Sequence, residues 1–345
     1  MRVLQVMAGA AHGGAETFFV DLVTALARAG LEQKVVIRVN PERAASLRVA
    51  GVEHVELPMG GALDLRTKGR LARVISDFRP DIVQSWMRRA TGFVSRPKNW
   101  GDFTHVGWFG GYYEVRHFSA CDHLIAVTED IRRHQIASGW PGDRAHYLPT
   151  FARETLAEPA ARGEMETPDD APLFLALGRL HEKKAFDILI QAMAQLPEAH
   201  LWVAGEGPLK AKLEALIREL DLAARVRLLG WREDREALLA AADVCVLPSR
   251  YEPFGTVMIE AWAQETPLIA AAASGPEALI DHEATGLLVP VDDVTALAQA
   301  MRRLIEDPGL AARLAAAGRA AFDSRFTEAA VVGQYLDFYH RLVNR

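Results

Sequence analysis

Short, unbroken apolar runs recur along this chain, each followed by a stretch of helical periodicity, and that alternation leaves few folds open. In the first half the runs are residues 3–8, 34–39, 81–86, 105–109, 123–128 and 145–148. In the second they are residues 173–177, 200–204, 226–229, 244–247, 268–272 and 286–289. Strands that are apolar on both sides belong in a parallel sheet covered by helices on both faces. Between them, residues 17–28 place Phe19, Val20, Leu22, Val23 and Leu26 along one stripe, and residues 188–196, 209–220 and 234–242 repeat the pattern. At 345 residues the chain exceeds what one core usually supports. Residues 151–172 interrupt the alternation with an acidic, proline-containing stretch of weak periodicity. The pattern therefore predicts an α/β protein of two doubly wound parallel-sheet, Rossmann-like domains facing across a cleft. The first domain would be residues 1–150, the linker 151–172 and the second domain 173–325. A C-terminal helix over 326–345 would pack on, or cross back to, the first domain.

Composition removes several function classes. Cys121 and Cys245 are the two cysteines; they offer neither a disulfide framework nor a thiolate metal site, and they suit a reducing compartment. The N-terminus reads as a strand rather than a signal peptide, and no apolar run is long enough for a membrane span, so a cytoplasmic protein is expected. The net charge of −6 is unevenly spread. Residues 1–150 carry 19 basic against 15 acidic residues, and the remainder 20 against 30. Such asymmetry suggests that the two halves meet different partners. No basic-aromatic motif supports nucleic acid as one of them.

Ligands of open parallel sheets bind beyond the carboxyl ends of the strands. After residues 244–247 come Glu252, Pro253, Phe254, Gly255 and Thr256, then Glu260 one turn into a helix. An acid, a tight turn and a second acid suit a polyol attached to a phosphate. The Gly255 and Thr256 amides would sit at a helix N-terminus, which favours an anion. Each carboxylate can accept hydrogen bonds from neighbouring hydroxyls. A plainer reading has Glu252 capping the helix and Glu260 complementing its dipole. After residues 173–177, Arg179 and Lys184 offer cations to a diphosphate, or are simply a solvated basic loop. Gly205-Glu206-Gly207-Pro208 and Gly230-Trp231 leave room for a flat base against backbone. Gly13 and Gly14 permit a tight turn and a close ligand approach after the first strand. Their spacing is not that of a dinucleotide-binding loop, which disfavours a dehydrogenase. Asp292-Asp293 reads as the cap of a helix over 295–304.

Together, Gly13-Gly14-Ala15-Glu16, Gly178-Arg179 with Lys184, Gly205-Glu206-Gly207-Pro208, Gly230-Trp231, and above all Glu252-Pro253-Phe254-Gly255 with Glu260 resemble glycosyltransferase family 4. The resemblance is to its members in bacterial lipopolysaccharide and glycan assembly, and it runs along nearly the whole chain. Glu252 and Glu260 match the family's pair of acids separated by seven residues, its most specific signature. The resemblance implies the two-domain GT-B fold and a metal-independent transfer that retains anomeric configuration. The donor would be a UDP- or GDP-sugar, the acceptor a glycan or lipid-linked glycan, with no cofactor. On this reading Arg179 and Lys184 would hold the leaving diphosphate and Glu252 the transferred sugar. Glu260 would bind the ribose hydroxyls, with Gly13, Gly14, Phe254, Gly255, Thr256, Gly205 and Trp231 completing the donor site. The chain departs from the family at Gln84-Ser85-Trp86 and His105–Tyr113, where many relatives place a histidine near the sugar. Catalysis would then rest on the cationic clamp, with the departing diphosphate oxygen taking the acceptor proton.

The acceptor side is expected in the first domain. Residues 65–78 form an amphipathic helix with Leu71, Val74, Ile75 and Phe78 inward and Arg66, Arg70 and Arg73 outward. Arg88, Arg89, Arg96 and Lys98 add charge, beside Trp86, Trp100, Trp108, Tyr112 and Tyr113. Cations with interfacial aromatics would suit an anionic acceptor, such as a lipopolysaccharide core, at the inner face of the cytoplasmic membrane. A solvated helix face with core aromatics is the competing reading. Two other functions share the architecture: a nucleotide-sugar epimerase and a catalytically silent sugar-nucleotide-binding subunit.

Overall fold

The computed structural model describes all residues except 11, 12, 61–63, 95–99 and 345; Arg96 and Lys98 thus lie outside the described residues. The chain divides into two compact units, Met1–Thr150 with Glu328–Arg345, and Phe151–Thr327.

The first unit is built on seven parallel strands: β1 (Arg2–Met7), β2 (Glu32–Arg38), β3 (His54–Leu57), β4 (Ile82–Trp86), β5 (Thr104–Phe109), β6 (His123–Ala126) and β7 (Ala145–Tyr147). Their order, β3-β2-β1-β4-β5-β6-β7, places the topological switch between β1 and β4. β3 escapes the unbroken-run criterion because it is an edge strand of alternating residues, three of them only half-buried.

The helix Glu328–Val343 belongs to this unit and buries Tyr335, Phe338 and Tyr339. The Tyr339 hydroxyl donates to Gln84 Oε1 at 2.8 Å and accepts from Gln5 Nε2 at 3.2 Å. Gln5 Oε1 in turn accepts from Trp86 Nε1 at 2.8 Å, and Trp108 Nε1 donates to Tyr335 at 3.2 Å. Burial pushes both phenols above their ordinary range, so they stay protonated. The Gln84–Trp86 segment, where the resemblance to the family leads one to expect a histidine, is therefore occupied in fastening this helix to the sheet. Trp86, Trp100 and Trp108 are core residues, the rings of Trp86 and Trp108 lying 4.6 Å apart. They are not the interfacial aromatics that their proximity in sequence to arginines suggests.

The second unit contains six parallel strands, β8 (Leu173–Leu177), β9 (His200–Ala204), β10 (Val226–Gly230), β11 (Val244–Leu247), β12 (Leu268–Ala271) and β13 (Leu287–Val289), ordered β10-β9-β8-β11-β12-β13. Its switch point lies between β8 and β11. Residues 151–172 are not a free linker but part of this unit. Phe151 and Met165 are buried, Thr167 accepts from Trp202 Nε1 at 2.9 Å, and Arg162 binds the Ala241 carbonyl at 2.7 Å and Asp243 at 3.0 Å. Side chains reaching backbone, rather than periodic packing, hold the segment, which is why it carries no helix or strand pattern. Phe326 likewise belongs here, buried as the C-cap of the helix Pro308–Arg325 rather than the start of the last helix.

Candidate functional site

Beside the switch point of the second sheet, β8 runs into Gly178-Arg179, and its neighbour on the far side, β9, runs into Gly205. Both glycines are left-handed, with φ of +150° and +153°. A Cβ on Gly205 would stand 1.9 Å from the Gly178 carbonyl oxygen. Gly205 therefore lacks a side chain because the neighbouring backbone occupies its space. Gly178 N donates to Ala204 O at 3.0 Å and Leu180 N to Glu206 O at 3.0 Å, fixing the two loops edge to edge.

Lys184 ends a short 3₁₀ turn, Glu182–Lys184, entered by His181, whose ring accepts from Lys183 N at 3.2 Å. Its ammonium forms an ion pair with the Glu252 carboxylate, both side chains being largely buried. Ser249 Oγ adds a 3.4 Å contact to the same oxygen of Glu252. The helix after Glu252, Thr256–Ala263, starts from Gly255 at φ +84° with no side chain capping it. Glu252 is thus not a cap. Glu260 lies outside the first turn, which has no acid, and accepts from Arg235 Nη1 at 3.0 Å. Neither acid performs the plainer role open to it.

The remaining candidates separate by what each exposes. Arg179 is exposed, with no ion pair among the described residues, and Trp231 is 60% exposed beyond β10. Phe254 is buried against Phe326, so only its backbone is left to face a ligand; Thr256 is half-buried. Gly13 and Gly14 belong to the first unit, at the start of the helix Gly14–Arg28. There Glu16 folds back to accept from Ala10 N at 2.7 Å. A Cβ on Gly13 would overlap Glu16 Oε2; on Gly9 it would come within 2.6 Å of Glu16 Oε1.

Three residues at this end of the sheet, Arg235, Ser249 and Arg250, carry no motif that marks them in the sequence. Asp293 caps the helix Val294–Glu306, accepting from Ala296 N at 2.8 Å. Asp292 does not cap; it pairs with Arg250 at 2.5 Å. Arg250 also grips Asp187 through both carboxylate oxygens, at 3.0 and 2.8 Å. Burial acts to raise the Asp187 carboxyl, but the hydrogen bonds and charge of Arg250 outweigh it and hold the group below the usual carboxylate range.

Among the described residues no helix is long and apolar enough to cross a membrane. Residues 12–153 match the family described as Glycosyltransferase Family 4, and residues 158–321 that described as Glycosyl transferases group 1. The chain is 34% identical to the lipopolysaccharide core biosynthesis glycosyltransferase LpsD of Rhizobium meliloti (strain 1021), over 99% of this chain and 98% of LpsD. It is 32% identical to LpsE of the same organism, over 94% and 95% of the two chains. Among solved structures, HepE of Anabaena in complex with UDP and glucose superposes with a TM-score of 0.87 at 21% identity, covering 99% of this chain and 100% of HepE. WaaG, a glycosyltransferase involved in lipopolysaccharide biosynthesis, gives 0.73 at 18% identity, over 98% and 99% of the chains. LpsD and LpsE are both named as glycosyltransferases, not as epimerases or binding subunits. With identity of this order sustained along nearly all of LpsD, and with the two units each carrying a glycosyltransferase model, the chain belongs to glycosyltransferase family 4, has the GT-B fold and is a glycosyltransferase.

Proposed function

We propose that the protein transfers a hexose from a nucleotide-diphosphate sugar to a lipopolysaccharide-core type of glycan, retaining anomeric configuration and using no metal ion. The observation that carries this reading is the convergence of Lys184 and Glu252 at the β8–β11 switch point, with Glu260 on the helix that follows. The UDP and UDP-glucose held by HepE favour a uridine donor over a guanosine one, and the names of LpsD and LpsE favour the acceptor class. In the reaction the bond from the anomeric carbon to the diphosphate breaks, and a bond to the acceptor hydroxyl forms on the same face. The hydroxyl proton passes to the departing diphosphate oxygen. Lys184 and Arg179 neutralise the charge that develops there. Glu252 accepts hydrogen bonds from the sugar and Glu260 from the ribose.

A thermal-shift panel of nucleotides and nucleotide sugars, with and without EDTA, tests the donor. One diphosphate sugar should raise the melting temperature equally in both conditions, because a ligand at about 100 times its Kd adds roughly 2.7 kcal/mol. A rise abolished by EDTA would refute metal independence, and silence across the panel would refute the donor class. Glu260→Ala should weaken UDP binding about tenfold, the worth of a hydrogen bond to a charged group. Unchanged affinity would remove Glu260 from the ribose.

For the acceptor, Arg66, Arg70 and Arg73 on the helix Leu65–Phe78 are exposed, as are Arg88 and Arg89 on the helix Met87–Phe93. None of the five makes an ion pair among the described residues. Charge, rather than aromatic insertion, would draw this face to an anionic glycan or the anionic inner membrane surface, at about 1 kcal/mol per arginine. Binding to vesicles containing anionic phospholipid at low salt should fall at least tenfold in the triple variant R66E/R70E/R73E. If the wild-type protein ignores such vesicles, the membrane part of the proposal is lost.

A further inference from the structure

Arg250 stands two residues before Glu252 in the loop after β11, and its contacts reach two other strand-end loops. Nη1 donates to the Glu182 carbonyl at 2.9 Å and to Asp187 at 3.0 Å, Nη2 to Asp187 at 2.8 Å, and Nε to Asp292 at 2.5 Å. Its backbone N–H donates to the Lys183 carbonyl at 2.9 Å. Glu182 and Lys183 directly precede Lys184, Asp187 lies in the first turn of the helix that follows, and Asp292 comes from the loop after β13. Beside this clasp the Lys183 ammonium lies 4.3 Å from the centre of the Tyr251 ring. The loop bearing Lys184 and the loop bearing Glu252 are thus tied together immediately next to their own ion pair.

We propose that Arg250 is a positioning residue: through Asp187, Asp292 and the Glu182 and Lys183 carbonyls, it fixes the spacing of Lys184 and Glu252 for donor binding. The inference rests on the donor reading above only in what the spacing serves. The geometry itself suits arginine alone. A planar fork can hold Asp187 by two bonds and still present Nε to Asp292, whereas a lysine ammonium is a point donor. The side chains of Arg250 and Asp187 are each 30% exposed, so the pair is more than a fully screened surface bridge. Without the guanidinium, two carboxylates from different loops would be left near one another, and their repulsion would part the loops.

Hydrogen exchange of the ligand-free protein reads the brace directly. In Arg250→Ala, amides in segments 180–188 and 249–256 should exchange about tenfold faster, the loss of roughly one charge-assisted bond, with exchange elsewhere unchanged. UDP affinity should fall about tenfold as well, Arg250→Lys should recover only a minor part, and adding Arg250→Ala to Lys184→Ala should cause little further loss. Asp187→Asn and Asp292→Asn provide the same exchange test should Arg250→Ala fail to fold. Unaltered exchange in both segments overturns the brace whatever the nucleotide does. Faster exchange with unchanged UDP affinity overturns its role in the site. Wild-type protein that binds no UDP defeats the donor reading instead, leaving the brace to be judged by exchange.

Discussion

Replacing Lys184 by Ala is expected to slow sugar transfer by about 10²–10³-fold, the usual consequence of removing one preorganised group aimed at developing charge. The fold holds Lys184 in place. It closes a 3₁₀ turn, precedes Ala185 at φ +50°, and directs its ammonium to Glu252 at the mouth of the sheet. In the proposed transfer the diphosphate gains charge as the glycosidic bond breaks, so the loss should fall on kcat more than on KM. A second effect must be separated from it. Without Lys184, the largely buried Glu252 loses its counter-charge, and stranding such a group costs about 1–3 kcal/mol of stability. Lys184→Met keeps most of the side-chain volume, and pairing it with Glu252→Gln removes the stranded charge. If Lys184→Met stays slow in single turnover when assayed well below its melting transition, and slower than Glu252→Gln alone, the ammonium acts on the leaving group. If Lys184→Met transfers sugar within threefold of wild type, the clamp is not the catalyst.

The parts of this site that are legible in sequence are those that one strand and its following turn can encode. Glu252, Gly255 and Glu260 lie within a single strand–turn–helix, so local spacing shows that they share an end of the sheet. Gly178, Arg179 and Lys184 follow β8 in the same way. The pairs that hold these groups in place are different in kind. Arg235 reaches Glu260 across 25 residues and Arg250 reaches Asp292 across 42, so no periodicity links the partners. Most strands are legible because burial on both faces makes them largely apolar, although β4 also buries Gln84 and Ser85, and β3 is not because only an edge position supports its alternation. The tryptophans mislead for a related reason. Nearness to Arg88 and Arg89 along the chain does not show which way a ring points, and Trp86 turns inward to Gln5 while those arginines face solvent.

Gly205→Ala should lower the melting transition of the second unit by on the order of 10 °C, although it adds only a methyl group. The expected Cβ lies 1.9 Å from Gly178 O and 2.8 Å from Gly178 C, both backbone atoms with no rotamer to yield. The position also sits at φ +153°, where a side chain is strained on its own account. Relief requires the ends of β8 and β9 to part, which stretches the bonds from Gly178 N to Ala204 O and from Leu180 N to Glu206 O. Gly163→Ala is the matching control in the same unit, since a Cβ there meets nothing within 4 Å, and it should move the transition by no more than about 1–2 °C. Equal melting of the two variants would mean that the strand ends do not lie in contact. Because the displaced backbone carries Arg179, the Gly205 variant should also bind UDP more weakly when assayed well below its transition. A variant that loses stability but keeps full UDP affinity would separate the strand-end contact from the donor site and leave Gly205 with a purely structural role.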